Sequence, residues 1–153
     1  MNYPGAVEVR HPEFFHKGET EKAFNQLLIT YQANRVMLDV YPLFSTPFHG
    51  HSGLTKAQQE KPKLPLHVLS TGDTPVIRFI GHIDKLINKR YLAPWEKRLN
   101  LWISQGKTIF LLVHTADNRE APDMARSLYE PLAKNSHLPD LPSFFDEQQT
   151  RLF

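Results

Sequence analysis

No cysteine occurs among the 153 residues, so disulfides and thiolate-based metal or redox chemistry are excluded. Nor does either sign of charge dominate: 18 lysines and arginines stand against 16 aspartates and glutamates, a formal net charge of +2. That balance permits an anionic partner but falls short of the dense basic footprint of a dedicated nucleic-acid binder. No apolar stretch approaches the roughly 20 residues that a membrane span needs. The start, Met1-Asn2-Tyr3-Pro4-Gly5, lacks the basic-then-apolar pattern of a secretory leader. A soluble, cytoplasmic chain with no membrane partner is therefore expected. With 41% hydrophobic residues and no low-complexity tract, it should bury one ordinary core.

What the sequence does hold is a set of short β-branched runs, each interrupted by a charge or an imidazole. They are Val7-Glu8-Val9-Arg10-His11, Met37-Leu38-Asp39-Val40-Tyr41, Val76-Ile77-Arg78-Phe79-Ile80-Gly81-His82 and Phe110-Leu111-Leu112-Val113-His114. An unpartnered buried charge is costly or escapes by shifting its pKa, so one on every strand points to a common site.

Between the runs, Thr20 can cap a helix with Phe24, Leu27, Leu28 and Tyr31 on one face. A strand from Arg35 to Tyr41 follows. The proline-rich stretch from Pro42 to Thr74 has room for a short helix around Thr55 to Glu60. Pro94 suits the first turn of a helix that buries Trp95, Leu99, Trp102 and Ile103, with Gly106 as its left-handed stop. The two tryptophans, on one amphipathic face, are read as core rather than as platforms for bases. A last helix begins near Pro122, buries Met124, Ala125, Leu128 and Leu132, and should be kinked or ended by Pro131. Residues 1–134 then form the domain, and 135–153 a proline-containing tail.

Strands alternating with helices, and strands that are nearly continuously apolar, predict an α/β fold with a parallel sheet covered on both faces. Alternation puts Glu8 and Arg10 on a shared inner face with Asp39, Tyr41, Arg78 and His114. Val7, Val9, Leu38, Val40, Ile77, Phe79, Leu111 and Val113 are left to pack under helices. Ligands collect at the carboxyl ends of such strands.

The same segments carry a resemblance. Glu8-Val9-Arg10-His11-Pro12-Glu13-Phe14-Phe15, Arg35-Val36-Met37-Leu38-Asp39, Val76 to His82, Pro94-Trp95, and Val113-His114-Thr115-Ala116-Asp117-Asn118 with Ala121-Pro122 follow one another in a known order. The chain resembles the YecE-like family, the domain of unknown function 72. That resemblance implies a TIM-barrel type of fold, of which this chain corresponds to the C-terminal half. A whole barrel takes about 250 residues and eight βα units, so about four units are expected here.

Two readings of function follow. In the first, the strand ends form an anion-binding pocket, hydrolase-like towards a phosphate-containing or nucleic-acid substrate. Glu8 or Asp39 would be the base or ligand, His114 the acid, and Arg10 with Arg78 the clamp on negative charge. His11, Gly81 and His82 stand at equivalent strand ends, and backbone N–H groups from Asn118 onward would receive an anion at a helix N-terminus. A structural ion-pair layer is the plainer alternative for the charges. Glu8, Asp39, His82 and His114 are also suitable donors for a divalent metal, but they show no local ligand signature. His49-Gly50-His51 is read as a solvated loop. Lys56, Lys61 and Lys63, like Lys85, Lys89 and Arg90, are read as solvated charge, with phosphate contact as the alternative.

In the second reading the protein is a non-catalytic interaction module or an inactive truncated remnant. Gln149-Thr150-Arg151-Leu152-Phe153 resembles the short motif with which bacterial proteins dock on the DNA sliding clamp. Leu152 and Phe153 would enter an apolar pocket while Gln149 bonds at its rim. Unpaired sheet edges further predict a homodimer, or a complementing N-terminal half-barrel chain.

Overall fold

The computed structural model describes residues 5–47, 52–116 and 118–143. Four parallel strands lie in sequence order, β1 (Ala6–Val7), β2 (Asn34–Asp39), β3 (Val76–Ile80) and β4 (Phe110–His114). After β1 come a 3-10 turn (Pro12–Phe15) and helix α1 (Glu19–Thr30). Helices α2 (Ser52–Glu60), α3 (Lys85–Ser104) and α4 (Ala121–Ser136) follow β2, β3 and β4. The fold is α/β, and its successive βα units with parallel neighbours make a partial TIM-barrel-like arrangement.

α3 and α4 cover one face of the sheet. Met37, Ile77 and Phe79 meet Leu92, Trp95, Leu99 and Trp102 of α3 and Met124, Leu128 and Leu132 of α4. Both tryptophans are core, as their spacing predicts. A second cluster joins Leu38, Val40 and Ile80 to Leu43 and to Leu54 and Ala57 of α2. α2 therefore crosses to the other side of the sheet, the inner face, and roofs its carboxyl end.

Several boundaries differ from expectation. β1 has only two paired residues, so Glu8, Val9 and Arg10 run beyond the ladder. Gly18, not Thr20, is the α1 N-cap. α3 begins about two turns before Pro94, because the Asp84 carboxylate accepts the Leu86 N–H and fixes the first turn. A proline inside a helix costs about 3 kcal/mol. Here Leu92 and Trp95, buried on either side of Pro94, offset that cost. Pro131 likewise sits inside α4 between buried Leu128 and Leu132, and the helix runs on to Ser136. The left-handed stop expected at Gly106 is present, with φ 75°. Beyond α4, Tyr129 Oη and Arg126 Nη2 donate to the Pro139 and Pro142 carbonyls, both at 2.6 Å. No helix among the described residues is long and apolar enough to cross a membrane.

Candidate strand-end site

The register decides which side chains meet. Leu38 pairs with Arg78 and Arg78 with Leu112, while Asp39 pairs with Phe79 and Phe79 with Val113. Residues paired in a parallel ladder share a face, so Arg78, Leu112, Ile80 and His114 look inward with Leu38. Asp39 looks the other way, under α3, where Oδ2 accepts the Trp95 indole N–H at 2.7 Å. Its Oδ1 accepts the Tyr41 N–H at 3.0 Å. The expected grouping of Asp39 with Glu8 and Arg78 is thus corrected: β2 is one residue out of phase with that reading. Burial raises the Asp39 carboxyl above its ordinary value, against the opposing pull of the Trp95 and Tyr41 donors.

Glu8 and Arg78 do meet. Glu8 Oε2 accepts from Arg78 Nη1 at 2.6 Å and Oε1 accepts from Arg10 Nε at 2.7 Å. Burial alone would raise the Glu8 carboxyl, but the hydrogen bonds and charges of the two arginines outweigh it and hold it below the ordinary value. Glu8 is therefore an orienting anion and a poor base. His114 ends β4 on the same face. Burial lowers its pKa, the charges of Arg78 and Lys61 lower it further, and a hydrogen bond with the Asn118 side chain and the Glu8 charge oppose them. The imidazole is thus biased towards its neutral form, which departs from the expected role of resident acid.

Beside His114 lies a cavity of about 370 Å³, walled by Lys56, Lys61 and Glu60 on one side and by Ile80, Thr115 and Asn118 on the other. Lys61, read from sequence as solvated surface, faces the site because Leu54 and Ala57 anchor α2 over the inner face. The helical i, i+3 spacing of Leu54 and Ala57, with Lys61 one turn further along that face, was the signal that could have placed it.

The other strand-end residues are engaged elsewhere. His82 is buried, its Nδ1 accepting the Asp84 N–H at 3.0 Å and its Nε2 lying 2.9 Å from Thr46 Oγ1. A Cβ on Gly81 would stand 2.8 Å from Asn88 Oδ1 and 2.9 Å from Met124 Cε, so the glycine admits helices rather than a ligand. His11 is exposed and caps the 3-10 turn by accepting the Glu13 N–H. Asn118 reaches the cavity with its side chain, but its N–H is spent on the Thr115 carbonyl and α4 starts only at Ala121. The Asn118 N–H is therefore not available to a ligand, and it is as a cavity-lining side chain that Asn118 faces the site.

Glu8, Asp39, His82 and His114 do not assemble as ligands, since Asp39 is on the far face and both His82 nitrogens are engaged. Among the described residues no group of three metal-binding side chains gathers. His49, Gly50 and His51, and the tail residues Gln149, Leu152 and Phe153, lie outside the described residues.

With these strands and their end residues in place, the sequence can be set beside known proteins. A family model described as "Protein of unknown function DUF72" matches residues 1–149. The chain belongs to that family. Two curated relatives, each named UPF0759 protein YecE, come from Escherichia coli strain K12 and Escherichia coli O157:H7. They are 40% and 39% identical to it over 141 residues, which is 92% of this chain and 50% of each relative. The chain thus spans about half the length of the curated relatives it matches. No solved structure gives a significant match.

One polar cluster of this DUF72 chain escaped sequence reasoning. Arg35, 1% exposed, donates to Glu21 Oε1 at 2.9 Å, to Asn25 Oδ1 at 2.7 Å and to the Phe14 carbonyl at 2.7 Å. Its guanidinium also lies over the Phe15 and Phe24 rings. Glu21 is held by His67 Nδ1 at 2.6 Å and by the Lys17 N–H as well. Burial would raise the Glu21 carboxyl, but these hydrogen bonds and the charges of His67 and Arg35 hold it low. The cluster lies on the helix face and clips α1 to β2. It is structural.

Proposed function

We propose that the strand-end cavity binds a phosphate-bearing anion, and that the DUF72 domain to which this half belongs is hydrolase-like towards a phosphate-containing or nucleic-acid substrate. The reading is carried by one observation. Lys61, Asn118 and His114 line one partly buried cavity, and burial together with the charges of Arg78 and Lys61 disfavours protonation of the imidazole. A bound phosphate would reverse that field, raising the His114 pKa so that anion and proton bind together. Arg78, steered by Glu8, offers its remaining N–H groups to the anion, and Lys61 and Asn118 complete the side-chain donors. The imidazolium so formed would give its proton to the leaving oxygen as a water attacks phosphorus and loses its own proton to solvent.

Calorimetric titration with inorganic phosphate and a nucleoside monophosphate tests this. Binding should weaken at least tenfold in His114→Ala and in Arg78→Met. Equal affinity in wild type and both variants, or no binding by any, refutes the reading.

A second, independent reading rests on the sequence of the tail alone: Gln149-Thr150-Arg151-Leu152-Phe153 docks on a DNA sliding clamp. A peptide of the last ten residues should bind purified clamp and lose binding when Leu152 and Phe153 become alanine. A peptide that does not bind ends this reading without touching the first.

A further inference from the structure

β4 is apolar at four of its five positions and is poorly covered. None of its residues, Phe-Leu-Leu-Val-His, is buried. Phe110 and Leu112, in register with Val76 and Arg78 on the inner face, stay 55% and 45% exposed. On the opposite face Leu111 and Val113, with Ile109 and Leu138, line an open apolar cleft of about 480 Å³. The neighbouring β3, similar in sequence, has Ile77 and Phe79 completely buried. Because β4 is also the end of the sheet, its outer N–H and C=O groups have no strand partner among the described residues. An apolar strand open along one edge, exposed on its inner face at Phe110 and Leu112 and only partly covered by α4 on the other, is a template for strand addition.

We infer that a second half-barrel closes onto β4: the part of a DUF72 domain that the curated relatives carry outside the stretch matched here. The match is half of each relative, so the remainder is of similar length and supplies the four strands that an eight-stranded barrel lacks. A second copy of this chain fits less well. Its free edge, β1, has only Ala6–Val7 to set against the five positions of Phe110–His114. The inference is independent of the anion reading, since it rests on Phe110, Leu112 and the apolar cleft rather than on His114 or Lys61.

The test is co-expression of this chain with the half of the Escherichia coli K12 protein that lies outside the match, followed by light scattering and amide hydrogen exchange. A 1:1 complex is expected, with exchange at Phe110 to His114 slowed at least tenfold relative to the chain alone. Leu112→Lys and Phe110→Lys should each abolish co-elution, whereas Leu101→Lys, on the outer surface of α3, should not. A chain that aggregates alone and is made soluble by the other half supports the proposal. Halves that stay separate or insoluble together overturn it, as does a homodimer that already protects β4, or co-elution unaffected by both β4 variants.

Discussion

His114 is the residue at which burial and charge oppose ionisation most directly. In the unfolded chain it titrates near its ordinary 6.5, and in the fold its pKa is lower because of burial, Arg78 and Lys61. The unfolded state therefore binds the proton more readily, and this contribution to stability is present above the unfolded value and lost as pH falls through the folded one. Thermal midpoints should fall on acidification from neutral pH, and fall less in His114→Gln. Phosphate, which favours the imidazolium, should raise the midpoint more at pH 6 than at pH 7.5. Asp39 shows the opposite case. Its raised pKa means that the folded carboxylate destabilises as pH climbs through that value, and the Trp95 N–H limits the cost. Trp95→Phe should cost about 1–3 kcal/mol at neutral pH by urea denaturation. The loss should shrink as pH drops towards Asp39 protonation.

Among the elements, α1 is tied to the sheet more by polar contacts than by its apolar stripe. Leu27 and Tyr31, assigned to that stripe by period, are exposed, while Glu21 and Arg35 are buried as a pair. Removing one partner of such a pair leaves an uncompensated charge, so Glu21→Ala should cost about 3–5 kcal/mol in chemical denaturation. Element order and sheet direction were legible because apolar runs of strand length alternated with amphipathic helices. The phase of β2 was not. Met37 and Leu38 are both buried, one under α3 and the other under α2, and a strand covered on both faces carries no alternation to say which way Asp39 points. Arg35 was hidden for the same reason: a charge at a strand start reads as an edge, and its partner lies on a separate helix. Arg78 and His114 share a face because successive residues of β3 and β4 alternate between faces, and Glu8 reaches Arg78 from just beyond the β1 ladder. The site's lysine was missed because the packing of α2 on the inner face depends on contacts distant in sequence.

For the whole molecule, uneven coverage predicts uneven stability. β3 is paired on both sides, with Ile77, Phe79 and Ile80 buried, whereas β4 is paired on one side and has no buried residue. Amide exchange should accordingly be slowest in Val76 to Ile80 and markedly faster at those Phe110 to His114 positions that face outward from the sheet. Equal protection of the two strands in the chain alone would contradict this ranking. The position of α2 has a kinetic corollary. With Leu54 and Ala57 seated on Leu38 and Ile80, the helix forms one wall of the cavity beside His114, its Lys56 and Glu60 and the following Lys61 along it. For the anion proposed above, residence time would be set by how often α2 lifts from its apolar seat, so enlarging or trimming Leu54 should alter capture and escape rates in step while leaving equilibrium affinity nearly constant.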